Sequence, residues 1–256
     1  MKQGARLLTW LAGLLSGPAL AAPGDPPDYA EVFEKSFVPG FAVETTIRLD
    51  DGTSRIDTVA FRVIEIGQLI ITSGRVAAAD PFVGLTAAKP FVQAVPNGAF
   101  RIRLAVGDHP SGDVKDNRVS FARVDFTDRP VARWSMALIE GQVAATLKEG
   151  EIFGYPVDAG TGSFFDPAVQ PAIDAMYALK PDIYDDWQTE GENNGPKVVG
   201  PYSFVLMPPG GTANVAMFHS GWGDGFYTSW FGFDADGKVA ALLTDFNTVD
   251  WPNSKW

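Results

Sequence analysis

The sequence predicts a mainly β protein (β-rich α+β), with antiparallel sheets in a sandwich-like arrangement and one or two peripheral helices. Many short segments alternate apolar and polar residues, as strands with one buried face do. Turns rich in glycine, asparagine and aspartate separate these segments, while helical start signals are few. With 256 residues, of which 46% are hydrophobic, the chain is long enough for a substantial core.

The first 21 residues have the pattern of a signal peptide. A positively charged start precedes an uncharged apolar run over 7–16, and a small-x-small cleavage pattern ends at Ala21. The apolar run is shorter than the roughly 20 residues that a membrane-spanning helix needs. We therefore expect cleavage after Ala21, export to the bacterial periplasm, and a single β-rich domain over residues 22–256.

Composition excludes several classes of function. The formal net charge is −11 at pH 7, which disfavours binding to nucleic acid and to anionic membrane surfaces because both would repel the protein. The same charge fits a basic protein partner or a bound cation. The chain has no cysteine, which excludes disulfides, thiol nucleophiles and thiolate metal sites. Core packing must therefore supply the stability.

Strands dominate the first half of the chain. The alternating segments there cover residues 41–49, 55–66, 69–72, 91–95, 100–106, 119–126 and 134–139. Asn97-Gly98 is a strong signal for a two-residue hairpin turn, which predicts that 91–95 pairs with 100–106. A short helix is predicted earlier, over 29–36.

The second half combines a helix with further strands. Asp166 reads as a helix cap because Pro167 follows it at the first helical position, which predicts a helix over 168–179. Residues 182–200 are polar and rich in turn formers. This composition predicts a long surface loop or a flexible connection between two halves of the domain. The later strands are predicted at 202–207, 214–219, 226–233 and 239–246. The sequence DADG at 234–237 resembles the start of a calcium loop, but a hairpin turn is favoured.

Four stretches together carry a family resemblance. They are residues 67–81 (GQLIITSGRVAAADP), 98–134, 157–166 (VDAGTGSFFD) and 220–246, in that order and spacing. In these motifs the chain resembles the bacterial family named domain of unknown function 4241. The resemblance implies a shared β-rich fold and no particular reaction, since the family is named for lacking one. An association of some members with toxin genes implies an immunity-type role.

The candidate site residues are mostly aspartates beside glycine-rich turns, joined by hydroxyl and aromatic side chains. They are Asp80, Asp158, Asp166, Ser220, Trp222, Asp224, Tyr227 and Asp245. If their loops converge at one end of a sheet, the oxygens could bind Ca²⁺ or Mg²⁺. The alternative, which we favour, is that each aspartate caps a helix or bonds its own turn. We therefore predict no cofactor, with Ca²⁺ or Mg²⁺ as the alternative.

The sequence SGWGDG at 220–225 is the most informative of these motifs, because its glycines permit tight turns that present Trp222 and Asp224. The preceding His219 does not pair with Ser220 as a catalytic base, since neighbours along a strand point to opposite faces. The other histidine, in 109–112 (HPSG), is predicted to lie in an exposed turn.

Two functions remain open at this stage. The first is a periplasmic binding or immunity-type protein that captures a basic protein partner, which fits the acidic charge and the few catalytic residues. The second is a hydrolase of cell-wall material. Asp158 or Asp166 would act with Asp224 as acid and base, and Trp222 and Tyr227 would stack on a sugar ring.

Overall fold

A computed structural model describes residues 24–48, 52–111, 114–148, 151–195 and 203–256 of the chain. The predicted signal peptide, residues 1–21, lies outside the described residues. Within the described residues, no helix has the length and apolar character needed to cross a membrane.

The described part is built mainly of antiparallel strands. In chain order they are β1 (Ala42–Arg48), β2 (Ser54–Ile71), β3 (Ala77–Ala79), β4 (Gly98–Ser111), β5 (Val114–Asp125), β6 (Arg133–Met136), β7 (Tyr155–Val157), β8 (Thr161–Phe165), β9 (Phe204–Leu206), β10 (Val215–His219), β11 (Gly225–Tyr227), β12 (Ser229–Phe233) and β13 (Val239–Asp245). The helices are α1 (Val32–Lys35), α2 (Gln170–Leu179) and α3 (Tyr184–Asn194). This composition confirms the predicted β-rich fold class.

The strands form two main sheets and a ribbon. The large sheet has the order β1-β2-β4-β5-β13-β12-β6 and curls into a half-barrel. The small sheet has the order β3-β8-β10-β9, and β7 pairs with β11 in a two-stranded ribbon. Every paired neighbour runs antiparallel. The central core lies between the two sheets and includes Phe164, Phe218, Phe231 and Leu242.

The small sheet is buried on both faces. Along β10, Ala216 and Phe218 point into the central core, whereas Val215 and Met217 point to the opposite side. Side chains of α2 and α3 cover that opposite side, among them Ile173. Because both faces are buried, β10 reads as a continuous apolar run and not as an alternation.

The outer face of the large sheet is covered by the two ends of the described chain. Phe33 of α1 packs with its ring centre 5.3 Å from that of Trp134 and 5.6 Å from that of Phe121. Trp251, near the C-terminus, stacks on Phe121 at 5.6 Å. These aromatic contacts make the N-terminal segment a structural part of the domain.

The predicted hairpin at Asn97-Gly98 is wrong. Residues 91–95 do not form a strand; within them Phe91 makes one isolated bridge, to Ile139. Gly98 begins β4, which pairs with β2 over most of its length. The hydrogen bonds between β2 and β4 therefore determine how β4 pairs, although the local turn signal favours pairing with residues 91–95.

The predicted loop at 182–200 is wrong for its first half, because α3 occupies Tyr184–Asn194. The helix is anchored by Trp187, which is buried and lies 5.7 Å from the rings of both Phe82 and Tyr177. A single large apolar side chain thus outweighs the polar composition of the segment. Residues 196–202 lie outside the described residues.

Other boundaries differ by small shifts. The strands predicted at 55–66 and 69–72 form one strand, β2, with a bulge between Glu65 and Gly67. The strand predicted at 226–233 divides into β11 and β12. The turn at 234–237 joins β12 to β13 as predicted, with the Gly237 N–H donating to the Asp234 carbonyl at 2.9 Å.

A buried ion network joins α1 to the large sheet. Arg103 donates to both carboxylate oxygens of Asp125, and Arg123 donates to Asp125 Oδ1 at 2.8 Å. Arg123 also donates to Glu34 Oε1 at 2.7 Å. The Phe37 ring lies 5.0 Å from the Arg103 guanidinium and 5.4 Å from that of Arg123. The negative charge of Asp125 therefore compensates the positive charges of two arginines in a largely apolar layer.

We predict that Asp125→Ala destabilises the fold by about 3–5 kcal/mol, because it leaves the charges of Arg103 and Arg123 without their shared carboxylate. Urea unfolding followed by circular dichroism measures this. The matched control is Asp128→Ala, which removes an exposed carboxylate paired with Arg101 and should change the midpoint little. Equal midpoints for the two variants would contradict the prediction.

Candidate functional site

The 220–225 loop joins β10 to β11 and is held by its own polar groups. The Ser220 hydroxyl donates to the Gly223 carbonyl at 2.8 Å, and the Gly223 N–H donates to the Ser220 carbonyl at 2.9 Å. Gly221 has a φ of +59° and lies so close to Phe246 and Thr248 that a Cβ would meet both within 3.0 Å. The loop therefore requires glycine at 221 for conformation and for space.

Tyr227 holds this loop by hydrogen bonds from its side chain. Its buried hydroxyl donates to the carbonyls of Ser220 at 3.1 Å and Gly223 at 2.8 Å. Burial raises the pKa of Tyr227, and the nearby charge of Asp224 raises it further. Tyr227 is thus a neutral hydrogen-bond donor to the loop and is not placed for stacking on a ligand.

Trp222 projects from the loop and is 54% exposed. The Arg118 guanidinium of β5 lies 4.8 Å from its ring centre, and the His109 ring of β4 meets it edge-on at 5.1 Å. Arg118 also donates to the Gly221 carbonyl at 3.3 Å and to Asp116. The large sheet thereby fixes an exposed indole through a cation–π contact, a ring contact and a backbone hydrogen bond.

The predicted exposed turn at His109 is wrong, because β4 continues to Ser111 and His109 is buried. Burial lowers the pKa of His109 to about 4; Asp116 and Asp108 oppose this shift, while Arg118 adds to it. His109 is therefore neutral at pH 7 and does not repel the guanidinium beside it. Burial and Arg118 also lower the pKa of His219.

Two carboxylates hold the 158–160 loop beside the 220–225 loop. Asp80 is buried and accepts from the N–H groups of Asp158 at 2.9 Å and Ala159 at 2.8 Å. Asp224 accepts from the Gly160 N–H at 3.0 Å. Asp158 and Asp224 are themselves exposed. The structure therefore brings Asp80, Asp158 and Asp224 into one region, with Asp80 in a structural role.

Asp166 lies elsewhere, because β8 separates it from Asp158 and places the two at opposite ends of a strand. It is buried and accepts from the backbone N–H of Ser73 at 2.8 Å and of Ala168 at 2.9 Å, and from both the N–H and the hydroxyl of Thr72. Burial alone would raise the pKa of Asp166, but hydrogen bonds from Ser73, Ala168 and Thr72 hold it below its usual value. The predicted capping role is confirmed.

Asp245 lies at the end of β13, where it accepts from the Tyr29 hydroxyl at 3.3 Å and the Asn247 N–H at 2.8 Å. Burial raises the pKa of Asp245 to about 7, although hydrogen bonds from Asn247 and Tyr29 oppose that shift. Its partner Tyr29 belongs to the N-terminal segment that covers the large sheet. The Asp245 carboxylate is therefore engaged by Tyr29 and Asn247.

The eight predicted residues thus divide between a surface and the framework beneath it. We define the Trp222 surface as Trp222, Phe226, Asp158 and Asp224, which are all exposed and lie on or beside the 220–225 loop. Among the described residues, no group of three or more histidine or acidic side chains is arranged to hold a metal ion. The surface can offer aromatic contacts and carboxylates to a partner.

Sequence reasoning did not identify Arg118 or His109 as support for Trp222. Both lie on strands that continue past their most apolar stretch, so neither stands out by hydropathy. The sequence carries no local signal for these contacts, because each joins Trp222 to a strand far from it in the chain.

A family model described as protein of unknown function (DUF4241) matches residues 69–244, which is most of the chain. No curated protein and no solved structure matches the sequence. The match covers β4, β5 and the 220–225 loop, and therefore Arg118 and Trp222 together.

We predict that Asp166→Ala costs about 1–3 kcal/mol of unfolding free energy, because it removes the buried carboxylate that accepts from the N–H groups of Thr72, Ser73 and Ala168. Chemical denaturation measures this loss. Asp158→Ala is the control, since that side chain is exposed and should be nearly neutral. A neutral Asp166→Ala would show that the contacts at the end of β8 are dispensable.

We predict that the Asp245 carboxyl makes the fold less stable as pH rises. Its folded-state pKa of about 7 lies above the ordinary value of 3.8. Its stabilising effect is therefore complete below about pH 4 and is lost as the pH approaches 7. Urea unfolding of the wild type and of Asp245→Asn at pH 5 and pH 8 tests this, and the variant should show the smaller loss on going to pH 8. The same loss in both proteins would contradict the assignment.

Proposed function

The chain belongs to the DUF4241 family, whose description names no activity, and we propose that it is an exported, immunity-type binding protein. It would capture a basic protein partner through the Trp222 surface. The observation that carries the proposal is that Trp222 is exposed yet fixed in position by Arg118 and His109. Export rests on the signal-peptide pattern of residues 1–21, with cleavage after Ala21 and release into the periplasm.

A fixed, exposed indole is well suited to protein recognition. Tryptophan is enriched among the residues that contribute most to binding energy at protein interfaces. Because Arg118 and His109 already restrain Trp222, little side-chain entropy would be lost when a partner covers it. Phe226, which is 47% exposed, extends the apolar contact area along β11.

The charge of the surface favours a basic partner. Asp224 and Asp158 flank the aromatic residues and are exposed, while the positive charge of Arg118 is paired with Asp116. The whole chain is also acidic, with 31 acidic residues against 20 lysines and arginines. Such a field speeds the approach of a basic protein, and added salt weakens this effect.

A hydrolase acting on cell-wall material is the alternative, and the geometry gives it less support. Glycosidic cleavage needs a carboxylic acid that stays protonated near neutral pH. Among the described carboxyl groups, that of Asp245 has a raised pKa, and it is hydrogen-bonded to Tyr29. Asp166, which the sequence proposed as an acid or base, has a lowered pKa and its carboxylate accepts from backbone N–H groups.

The test is affinity capture from a periplasmic extract with the immobilised mature protein. We predict that Trp222→Ala weakens retention of a basic protein about 30-fold, as expected for the loss of about 2 kcal/mol at an interface tryptophan. Leu179→Ala is the control, because it removes an exposed apolar side chain at the end of α2. Retention should also fall when salt is raised from about 50 mM to about 500 mM.

Equal retention of the same proteins by the wild type and Trp222→Ala would overturn the proposal. Incubation of the same preparations with peptidoglycan tests the hydrolase alternative. Release of soluble fragments that is lost in Asp224→Ala and Asp158→Ala, but retained in Leu179→Ala, would favour the hydrolase.

A further inference from the structure

Segment 246–248 leaves the end of β13 and packs directly against the 220–225 loop. A Cβ at Gly221 would meet the Cβ of Phe246 at 2.9 Å and the carbonyl oxygen of the same residue at 3.0 Å. The Phe246 ring also lies 5.0 Å, centre to centre, from that of Tyr227, whose hydroxyl holds the loop. Because these groups are in close contact, a change in the segment is transmitted to the loop.

Asp245 holds the backbone of segment 246–248 in place. Its Oδ1 accepts from the Asn247 N–H at 2.8 Å. Asn247 has a φ of +50°, a left-handed conformation that a residue with a side chain keeps only when its surroundings hold it. The segment is also tied to β5, since the Phe246 N–H donates to the Ser120 carbonyl at 3.0 Å. The conformation at Asn247 therefore depends on the Asp245 carboxyl.

The Asp245 carboxyl is buried with two neutral donors. Its side of the residue is closed to solvent, with 3% of Asp245 exposed, and its second oxygen accepts from the Tyr29 hydroxyl at 3.3 Å. Within the described residues, it forms no ion pair or hydrogen bond with a cation. A carboxylate in such a place lacks the solvation that water would supply, so burial raises the pKa of Asp245 to about 7.

The other charged groups on the elements packed around Asp245 bind partners of their own. Arg123 is bonded to Asp125 and to Glu34, and Arg118 is bonded to Asp116. Strand β12 carries no charged residue. The titratable and charged groups on these elements are Tyr29, Glu31, Glu34 and Lys35 of the N-terminal segment, Asp116, Arg118, Arg123 and Asp125 of β5, and Asp250, which accepts from Asn253.

We propose that Asp245 is a pH-sensitive switch for the Trp222 surface. While its carboxyl is protonated, segment 246–248 and the 220–225 loop stay in place; its ionisation favours a local opening that admits water to the carboxylate and loosens the loop. This regulation rests on the proposed role of the Trp222 surface in binding. A partner would accordingly be held more firmly at mildly acid pH than above neutral pH.

The direction follows from the linkage between protonation and conformation. In an open state that hydrates the carboxylate, the pKa of Asp245 returns to its ordinary value of 3.8, whereas in the closed state it is about 7. The closed state is therefore favoured most below about pH 4 and loses this advantage as the pH rises to 7. With these two values, the open population rises about 90-fold between pH 5 and pH 8.

The experiment measures amide hydrogen exchange by NMR in the free protein at pH 5 and pH 8, with each rate divided by its intrinsic value at that pH. We expect the protection of the Asn247 and Gly223 amides to fall about 90-fold. The fall should be the same in about 1 M urea, because a local opening exposes little surface. The Gly237 amide, bonded to the Asp234 carbonyl in the turn between β12 and β13, is the control and should keep its protection.

Three variants identify the titrating group. Asp245→Asn replaces the carboxyl by a neutral amide of similar shape, so the fall should disappear. Tyr29→Phe keeps the carboxyl and removes a donor that lowers its pKa, so the fall should continue to a higher pH before it levels off. Asp250→Asn changes an exposed carboxylate nearby in the chain and should behave as the wild type.

A fall at both Asn247 and Gly223 that Asp245→Asn abolishes supports the switch. Equal protection at the two pH values, an equal fall in Asp245→Asn or at Gly237, a strong dependence on urea, or an unchanged levelling pH in Tyr29→Phe overturns it. A fall at Asn247 alone overturns the coupling to the Trp222 surface. Because no partner is present, these results are separate from the capture experiment with Trp222→Ala, and either can fail without the other.

Discussion

Burial of the small sheet on both faces is the constraint on which the rest of the structure depends. Phe218 and Ala216 of β10 fill the space against the large sheet, while Val215 and Met217 need the cover of α2 and α3. Asp166 links these layers, because it ends β8, caps the turn that leads into α2, and binds the backbone that follows β2. This packing also fixes the positions of the 158–160 and 220–225 loops, because the first leads into β8 and the second follows β10.

The same packing separates the structural carboxylates from the exposed ones. Asp80, Asp166 and Asp245 are buried and bind donors of the protein itself, whereas Asp158 and Asp224 reach the solvent. Aspartates that look alike beside glycines in the sequence therefore have different roles. What distinguishes them is whether neighbouring segments cover the carboxylate, since Asp158 and Asp166 flank the same strand, β8, and differ in burial.

Much of the architecture could be predicted from local pattern, and the rest depended on distant partners. Segments that alternate apolar and polar residues predicted most of the strands, and Asp166-Pro167 predicted the start of the helical segment. Both signals act within a few residues of the chain. Asn97-Gly98 misled because its strand pairs with β2, and α3 was missed because Trp187 is buried by Phe82. Trp222 and Asp224 were recognised as exposed features, but their support by Arg118 comes from a strand about a hundred residues earlier.

The place of β13 in the large sheet has a consequence for synthesis of the chain. This strand is near the C-terminus, yet it lies between β5 and β12 in the middle of the sheet. A chain synthesised from its N-terminus cannot complete the sheet until residues 239–245 are present. Until then β5 exposes an unpaired edge, of the kind that favours association between chains. A chaperone that shields β5 until β13 is synthesised would therefore protect the chain at this stage.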